Sequence, residues 1–214
     1  MSMFDITQYT KVFSDINQLS QFVDVIYKYS QNPLILPVKT KLIELLFTGL
    51  QKVINGKNFK KRLEKDMKFQ SMFTGYMMEV DSNPDETTRL EKLRKLINSY
   101  IKDEEKINIE TYEIFQIARK LKSFEFIVLS ATYKIFREGR PDHLQNRDAD
   151  VWRKTVSERI NDSGSTRALI FAAESTLVNH QLILPIREGY NEYRPQETFR
   201  LAELGVRMNE LLEN

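Results

Sequence analysis

Apolar residues recur at intervals of three and four through most of the chain, and this spacing predicts a succession of amphipathic helices. The predicted helices cover residues 12–29, 38–55 and 57–78, and others begin near residues 83, 108, 123, 151, 166 and 202. All six prolines fall between these segments, where a missing amide N–H does least harm. The predicted fold class is therefore mainly α, a multi-helix bundle of eight or nine helices.

The hydrophobic period changes near the C-terminus. Leu182-Ile183-Leu184 and Thr198-Phe199-Arg200-Leu201 are short apolar runs on either side of a polar loop with two prolines and a glycine. Such runs around a loop predict one short β-hairpin with a long tip. Gly205 follows in the last predicted helix, where it would allow two elements to pack closely.

The apolar spacing also predicts which helix faces point inward. In the helix over 57–78, Phe59, Leu63 and Met67 share one face, and Phe69 falls off it. In the helix that begins near residue 166, the predicted inward positions are Leu169, Ile170, Ala173 and Leu177.

The order of elements in the C-terminal half resembles that of winged-helix modules, in which helices are followed by a β-hairpin and a closing helix. Leu177–Ile183 is similar to the helix end and strand start of such modules, and Phe199–Gly205 to a strand that leads into the closing helix. The segments Leu90–Ile97 and Lys122–Leu129 resemble the paired helices that precede this module in small uncharacterised bacterial proteins. The resemblance implies an N-terminal helical region over 1–105 and a winged-helix-like region over 106–214, or one continuous body that contains both.

Composition narrows the class of protein. The 214 residues are 41% hydrophobic and 29% charged, with a formal net charge of +2 and no cysteine. Without cysteine there is no disulfide framework, thiol nucleophile or cysteine-ligated metal. No apolar stretch is long enough for a membrane helix, so we expect a cytoplasmic protein that does not use a membrane, and the resemblance implies that the protein is bacterial.

The segment with the largest excess of positive charge covers residues 57–68. Four of its lysines are spaced four, four and three residues apart, which places them on one ridge of a helix. The ridge is either a solvated helix face or a contact for nucleic-acid phosphates or an acidic protein. The candidate contacts are Lys57, Lys60, Lys61, Arg62, Lys65 and Lys68, with Arg187 and Arg194 from the predicted wing.

Aromatic residues and methionines follow this ridge. Phe69, Met72 and Met78 are candidates for a protein contact, because exposed aromatic and thioether side chains make adaptable binding surfaces. The alternative interpretation assigns the same side chains to the hydrophobic core.

No motif of catalysis or cofactor binding occurs in the sequence. The two histidines, His143 and His180, lack metal-ligand spacing, and the glycines are too far apart for a phosphate-binding loop. No nucleophile-elbow pattern surrounds any serine. We therefore expect no enzyme, no cofactor, no bound metal and no small-molecule substrate.

The charge balance of the predicted winged-helix segment favours a protein partner. Residues 165–201 contain four arginines and four glutamates, so their net charge is zero. A DNA-binding winged helix needs cations to neutralise phosphates. The sequence therefore predicts a regulator or adaptor that binds another protein or a second copy of itself, and nucleic-acid binding through the basic segment is the alternative.

Overall fold

The structure is a computed structural model, and it describes residues 62, 65–102, 109–139, 149–160, 167–185 and 199–213. Within these residues the chain forms seven α-helices and no β-strand, which confirms the prediction of a mainly helical protein. The helices are α1 (Met67–Ser82), α2 (Thr87–Lys102), α3 (Ile109–Ala118), α4 (Ser123–Arg137), α5 (Ala149–Ile160), α6 (Arg167–Asn179) and α7 (Glu203–Glu213). The helices predicted over 12–29 and 38–55 lie outside the described residues.

The chain divides into two compact units, Met1–Gln116 and Ile117–Asn214, which we call unit 1 and unit 2. In the described part, unit 1 holds α1, α2 and most of α3, and unit 2 holds α4 to α7. The predicted boundary between residues 105 and 106 stays a prediction. None of the described helices is both long enough and apolar enough to cross a membrane.

Asp66 interrupts the helix that the sequence predicts over residues 57–78. Arg62 and Lys65 are helical, but Asp66 is extended, and its carboxylate accepts hydrogen bonds from the backbone N–H groups of Lys68 and Phe69 at 3.1 and 3.0 Å. A short acidic side chain at this position satisfies amide groups that the first turn of a helix leaves unpaired. A new helix, α1, therefore begins at Met67.

This interruption changes which side chains of α1 are buried. Met67, predicted to point inward, is 81% exposed, whereas Phe69, which falls off the predicted face, is completely buried. The buried side chains of α1 are Phe69, Met72, Phe73, Tyr76, Met77 and Val80. Their spacing of three and four is that of one helix face, with its phase set by the start at Met67.

In the described part of unit 1, buried side chains lie between α1 and α2, which contact each other. The hydroxyl of Tyr100 on α2 donates to the Asp66 carboxylate at 3.1 Å, and the ring of Tyr100 stacks on Phe69 with centroids 6.5 Å apart. Asn83, near which the sequence predicts the start of a helix, instead ends α1, with its N–H bonded to the carbonyl of Glu79. A turn over 83–86 then leads into α2 at Thr87.

In unit 2, α4 is the central helix, because it contacts α5, α6 and α7. Helices α5 and α6 also contact each other, so α4, α5 and α6 form a mutually packed triangle. Their buried side chains include Phe126 and Leu129 of α4, Trp152 and Val156 of α5, and Ile170, Ala173 and Leu177 of α6. The last three confirm inward positions that the sequence predicts.

The two segments predicted as a β-hairpin meet at one isolated antiparallel bridge, between Ile183 and Leu201. Two backbone hydrogen bonds flank it, from Leu184 N–H to the Arg200 carbonyl and from Ala202 N–H to the Leu182 carbonyl. Phe199 and Arg200 are left-handed, with φ values of 49° and 64°. A strand requires extended residues, so these two form a turn before the bridge. Residues 186–198, which include most of the predicted tip, lie outside the described residues.

Gly205 lets the start of α7 approach the segment that follows α6. A Cβ atom on Gly205 would lie 2.1 Å from the carbonyl oxygen of Leu182. This contact confirms the predicted close packing at Gly205, because only a residue without a side chain fits there. Further along α7, the side chain of Asn209 donates to the Gly205 carbonyl at 2.8 Å.

The substitution Gly205→Ala tests this close approach. We expect it to lower the free energy of unfolding by about 3 kcal/mol, because the added methyl group overpacks against backbone that cannot rotate away. Gly139→Ala is the matched control: Gly139 is left-handed, but a Cβ there meets no atom within 4 Å. The control should cost only about 1 kcal/mol, for the left-handed backbone alone. Urea denaturation measures both values, and an equal cost for the two variants would contradict the steric argument.

Burial of Tyr76 predicts a loss of stability in alkali. Burial raises the pKa of the Tyr76 hydroxyl above its ordinary value, with a smaller opposing effect from Arg94. The unfolded chain releases this proton above about pH 10, while the folded chain retains it, so stability is full below pH 10 and falls as the pH rises further. Urea denaturation at pH 8, 10 and 11 should show the wild type losing stability relative to Tyr76→Phe only above pH 10. A difference between the two proteins that stays constant to pH 11 would show that the folded state ionises normally.

Candidate functional site

The exposed face of α6 is the most distinctive surface of unit 2. Leu169 and Phe171 are 53% and 60% exposed, although both are large apolar side chains. Among the residues of this helix whose side chains the structure describes, the exposed ones, which we call the α6 surface, are Ala168, Leu169, Phe171, Ala172, Ser175 and Asn179. None of them is charged.

Leu169 was predicted to point inward, and its exposure corrects that prediction. Ile170, Ala173 and Leu177 form the buried stripe of α6, with Leu169 on one flank and Glu174 on the other. The structure buries the Glu174 flank, where two arginines bind the carboxylate, and this leaves the Leu169 flank in solvent. Apolar spacing alone favours the opposite rotation of the helix.

Glu174 is the centre of a buried group of charges. Its Oε2 accepts from Nε of Arg153 on α5 at 2.6 Å, and its Oε1 accepts from an Nη atom of Arg200 at 2.7 Å. Arg200 also donates from Nε to the carbonyl of Leu184 at 2.9 Å. These three charged residues, which we call the Glu174 network, connect α5, α6 and the turn before the Ile183–Leu201 bridge.

Each arginine of the Glu174 network lies over an aromatic ring. The guanidinium carbon of Arg153 is 4.7 Å from the ring centroid of Phe171, and that of Arg200 is 4.8 Å from the ring of Trp152. At these distances the positive charge is attracted by the face of the ring. The Trp152 ring is itself buried, and its indole N–H has no hydrogen-bond partner in the part of the chain that the structure describes.

Burial sets the electrostatics of this network. Arg200 and Glu174 are only 4% and 8% exposed. Burial lowers the pKa of Arg200 below its ordinary value, because the charged form loses water, and the hydrogen bond and charge of Glu174 oppose this effect. Two buried or half-buried cations thus share one carboxylate.

The structure describes three of the predicted basic contacts. Arg62 pairs with Asp66 at 3.9 Å, Lys65 is exposed, and the Lys68 ammonium lies 5.7 Å from the ring centroid of Tyr112. The other five, Lys57, Lys60, Lys61, Arg187 and Arg194, lie outside the described residues. The basic ridge over 57–68 therefore stays a prediction.

The three predicted protein contacts have different surroundings. Phe69 and Met72 are completely buried in the core of unit 1, so as placed they offer no surface to a partner. Met78 is 50% exposed on α1. For Phe69 and Met72, the structure therefore fits the alternative interpretation, in which these side chains belong to the hydrophobic core.

Sequence reasoning did not identify the Glu174 network or the exposure of Phe171. Arg153, Glu174 and Arg200 are 21 to 47 residues apart in the chain, and no local spacing connects them. One signal was present, because Glu174 is the one acidic residue in a largely apolar helix, and a buried carboxylate needs partners. Among the described residues, no three acidic or histidine side chains are grouped so that they could hold a metal ion.

Removal of the charge on Glu174 tests the contribution of the network to stability. We expect Glu174→Gln to lower the free energy of unfolding by about 3 kcal/mol, because it leaves two largely buried guanidiniums without a carboxylate. Glu158→Gln is the matched control, since its pair with Lys154 is at 4.0 Å and both side chains are mostly exposed. That pair should contribute less than about 0.5 kcal/mol. Urea denaturation of both variants measures the difference, and the prediction is wrong if Glu174→Gln is as stable as Glu158→Gln.

Three kinds of comparison with known proteins, by family model, by sequence and by solved structure, found no match for this chain.

Proposed function

We propose that this protein is a non-catalytic cytoplasmic regulator or adaptor, and that it acts by protein–protein assembly through the α6 surface of a winged-helix-like unit 2. The observation that carries the proposal is an exposed helix face with two large apolar side chains and, among the side chains that the structure describes there, no charge. Apolar side chains that are exposed together on one element are a common mark of a protein contact.

The arrangement of unit 2 supports the winged-helix part of this proposal. In the order of a winged-helix module, three helices are followed by paired segments and a closing helix. Here α4, α5 and α6 contact one another, the Ile183–Leu201 bridge follows, and α7 packs back on α4. In this correspondence α6 takes the position of the recognition helix.

The chemistry of α6 favours a protein partner over a nucleic acid. A recognition helix that binds DNA needs cations for phosphates and polar groups for base edges. The one acidic side chain of α6, Glu174, is buried with two arginines, and the exposed face presents Leu169 and Phe171 instead. These side chains suit a dry contact between two proteins.

A second copy of the chain is the partner that we propose for this surface. In a twofold contact the same patch meets itself, so any charge near the axis would face a like charge. The six side chains of the α6 surface are uncharged, and Arg153, which lies over the Phe171 ring, is paired with Glu174, so this repulsion is avoided among the side chains that the structure describes. These six side chains also have no charge with which to select a strongly acidic or basic partner.

Light scattering after size exclusion tests this proposal. We expect the full chain to show a concentration-dependent equilibrium between monomer and dimer, which Phe171→Ser weakens by about tenfold or more, as for a central interface residue. Met67→Ser is the matched control, because Met67 is an exposed apolar side chain of unit 1 that lies outside the α6 surface. It should leave the equilibrium unchanged.

The same samples, run with mixed-sequence DNA and RNA at two salt concentrations, distinguish the alternative function. Binding of nucleic acid that weakens steeply with salt, by a chain that stays monomeric, would replace our proposal with the phosphate-binding one. A chain that is monomeric up to millimolar concentration and binds neither nucleic acid would also overturn assembly through a second copy.

A further inference from the structure

The ring of Phe171 is exposed, yet it has a defined neighbour. The guanidinium of Arg153 lies over its face at 4.7 Å, although the ring is 60% exposed. Arg153 is only 19% exposed, and its Nε donates a hydrogen bond to the buried carboxylate of Glu174. One side chain therefore connects a buried charge to an exposed aromatic ring.

An exposed aromatic side chain that is free to change rotamer loses that freedom when it enters an interface. A ring that is already fixed in its bound orientation avoids this cost. Contact with a planar cation favours one orientation of the ring, and a guanidinium can stack on the ring while it donates in its own plane to a carboxylate. A lysine ammonium has no such plane, so it reproduces the charge but not this combination.

We propose that Arg153 is a positioning residue for the α6 surface: anchored by Glu174, it holds the Phe171 ring in the orientation in which a partner contacts it. The inference rests on the proposed function, since it concerns the same surface. It adds that the affinity of this surface depends on a residue of α5 as well as on the side chains of α6.

Arg200 strengthens the anchor. The two oxygens of Glu174 are each bound by a different arginine, so the carboxylate cannot rotate without breaking one of these hydrogen bonds. Arg200 is in turn fixed by the carbonyl of Leu184 and by the ring of Trp152. Buried contacts within the chain therefore fix the position of Arg153 before any partner binds at the α6 surface.

Two measurements on the full chain test the role of Arg153. The first is the dimer dissociation constant from sedimentation equilibrium. The second is the ¹⁹F spectrum of a trifluoromethyl-phenylalanine placed at position 171, which reports the surroundings of the ring in monomer and dimer alike. The variants are Arg153→Met, which keeps an apolar stem, and Arg153→Lys, which keeps the charge. Lys154→Met is the matched control, since Lys154 is the adjacent residue, is 79% exposed and pairs only at the surface.

We expect Arg153→Met to raise the dissociation constant by about fivefold for each protomer, the equivalent of one exposed cation–π contact. Its ¹⁹F resonance should shift and narrow as the ring becomes mobile. Arg153→Lys should give the same spectral change, and Lys154→Met should change neither measurement. The fluorescence of Trp152, the single tryptophan of the chain, should keep its emission maximum in the Arg153 variants if the fold of unit 2 is intact.

The outcomes separate the two proposals. A wild type that dimerises, with Arg153→Met matching it in dissociation constant and in ¹⁹F spectrum, overturns the role of Arg153 and leaves the proposed function in place. A wild type that stays monomeric overturns the proposed function, and the ¹⁹F spectra then still decide whether Arg153 fixes the ring. An unchanged resonance in Arg153→Met overturns the positioning role in either case.

Discussion

The contact of one carboxylate with two arginines determines how the helices of unit 2 are arranged. Glu174 binds Arg153 from α5 and Arg200 from the turn before the bridge, and these partners come from separate parts of the chain. A carboxylate this deeply buried is costly unless both of its oxygens are paired. The rotation of α6 follows from this requirement, because the flank that carries Glu174 must face inward. The opposite flank, with Leu169, is then left in solvent.

The helices themselves could be predicted from the sequence, because their apolar spacing is a local signal. Ile170, Ala173 and Leu177 are buried as predicted, and the helix α4 ends before Gly139, which is left-handed, with φ of 80°, as a helix-ending glycine often is. The start of α1 was predicted wrongly, because the apolar pattern continues through Asp66 while the backbone does not. The tyrosine that helps to hold this carboxylate, Tyr100, is 34 residues away. A capping residue stabilised from another helix cannot be identified by spacing alone.

The candidate site was harder to predict than the fold for the same physical reason. Residues 165–201 carry no net charge in the sequence, but a sum of charges does not show where each one lies. In the structure, Glu174 and Arg200 neutralise each other in the interior. The exposed side chains that the structure describes on α6 are uncharged, because the one acidic residue of this helix is buried with two arginines, and the exposure of Leu169 is a consequence of that pairing.

If unit 2 is winged-helix-like, as we propose, this pairing bears on how such a unit could bind a protein instead of a nucleic acid. Exposed cations on the recognition helix would attract phosphates over a distance. Arg153 and Arg200 each donate to the Glu174 carboxylate and lie over an aromatic ring. Their charge is therefore paired within the protein. What remains exposed is an aromatic ring beside a fixed arginine, and in the proposed function recognition there depends on shape and on the exclusion of water. A buried carboxylate in the middle of α6, with one arginine on the preceding helix and one before α7, is thus a feature that a sequence search could use to find other proteins with the same arrangement.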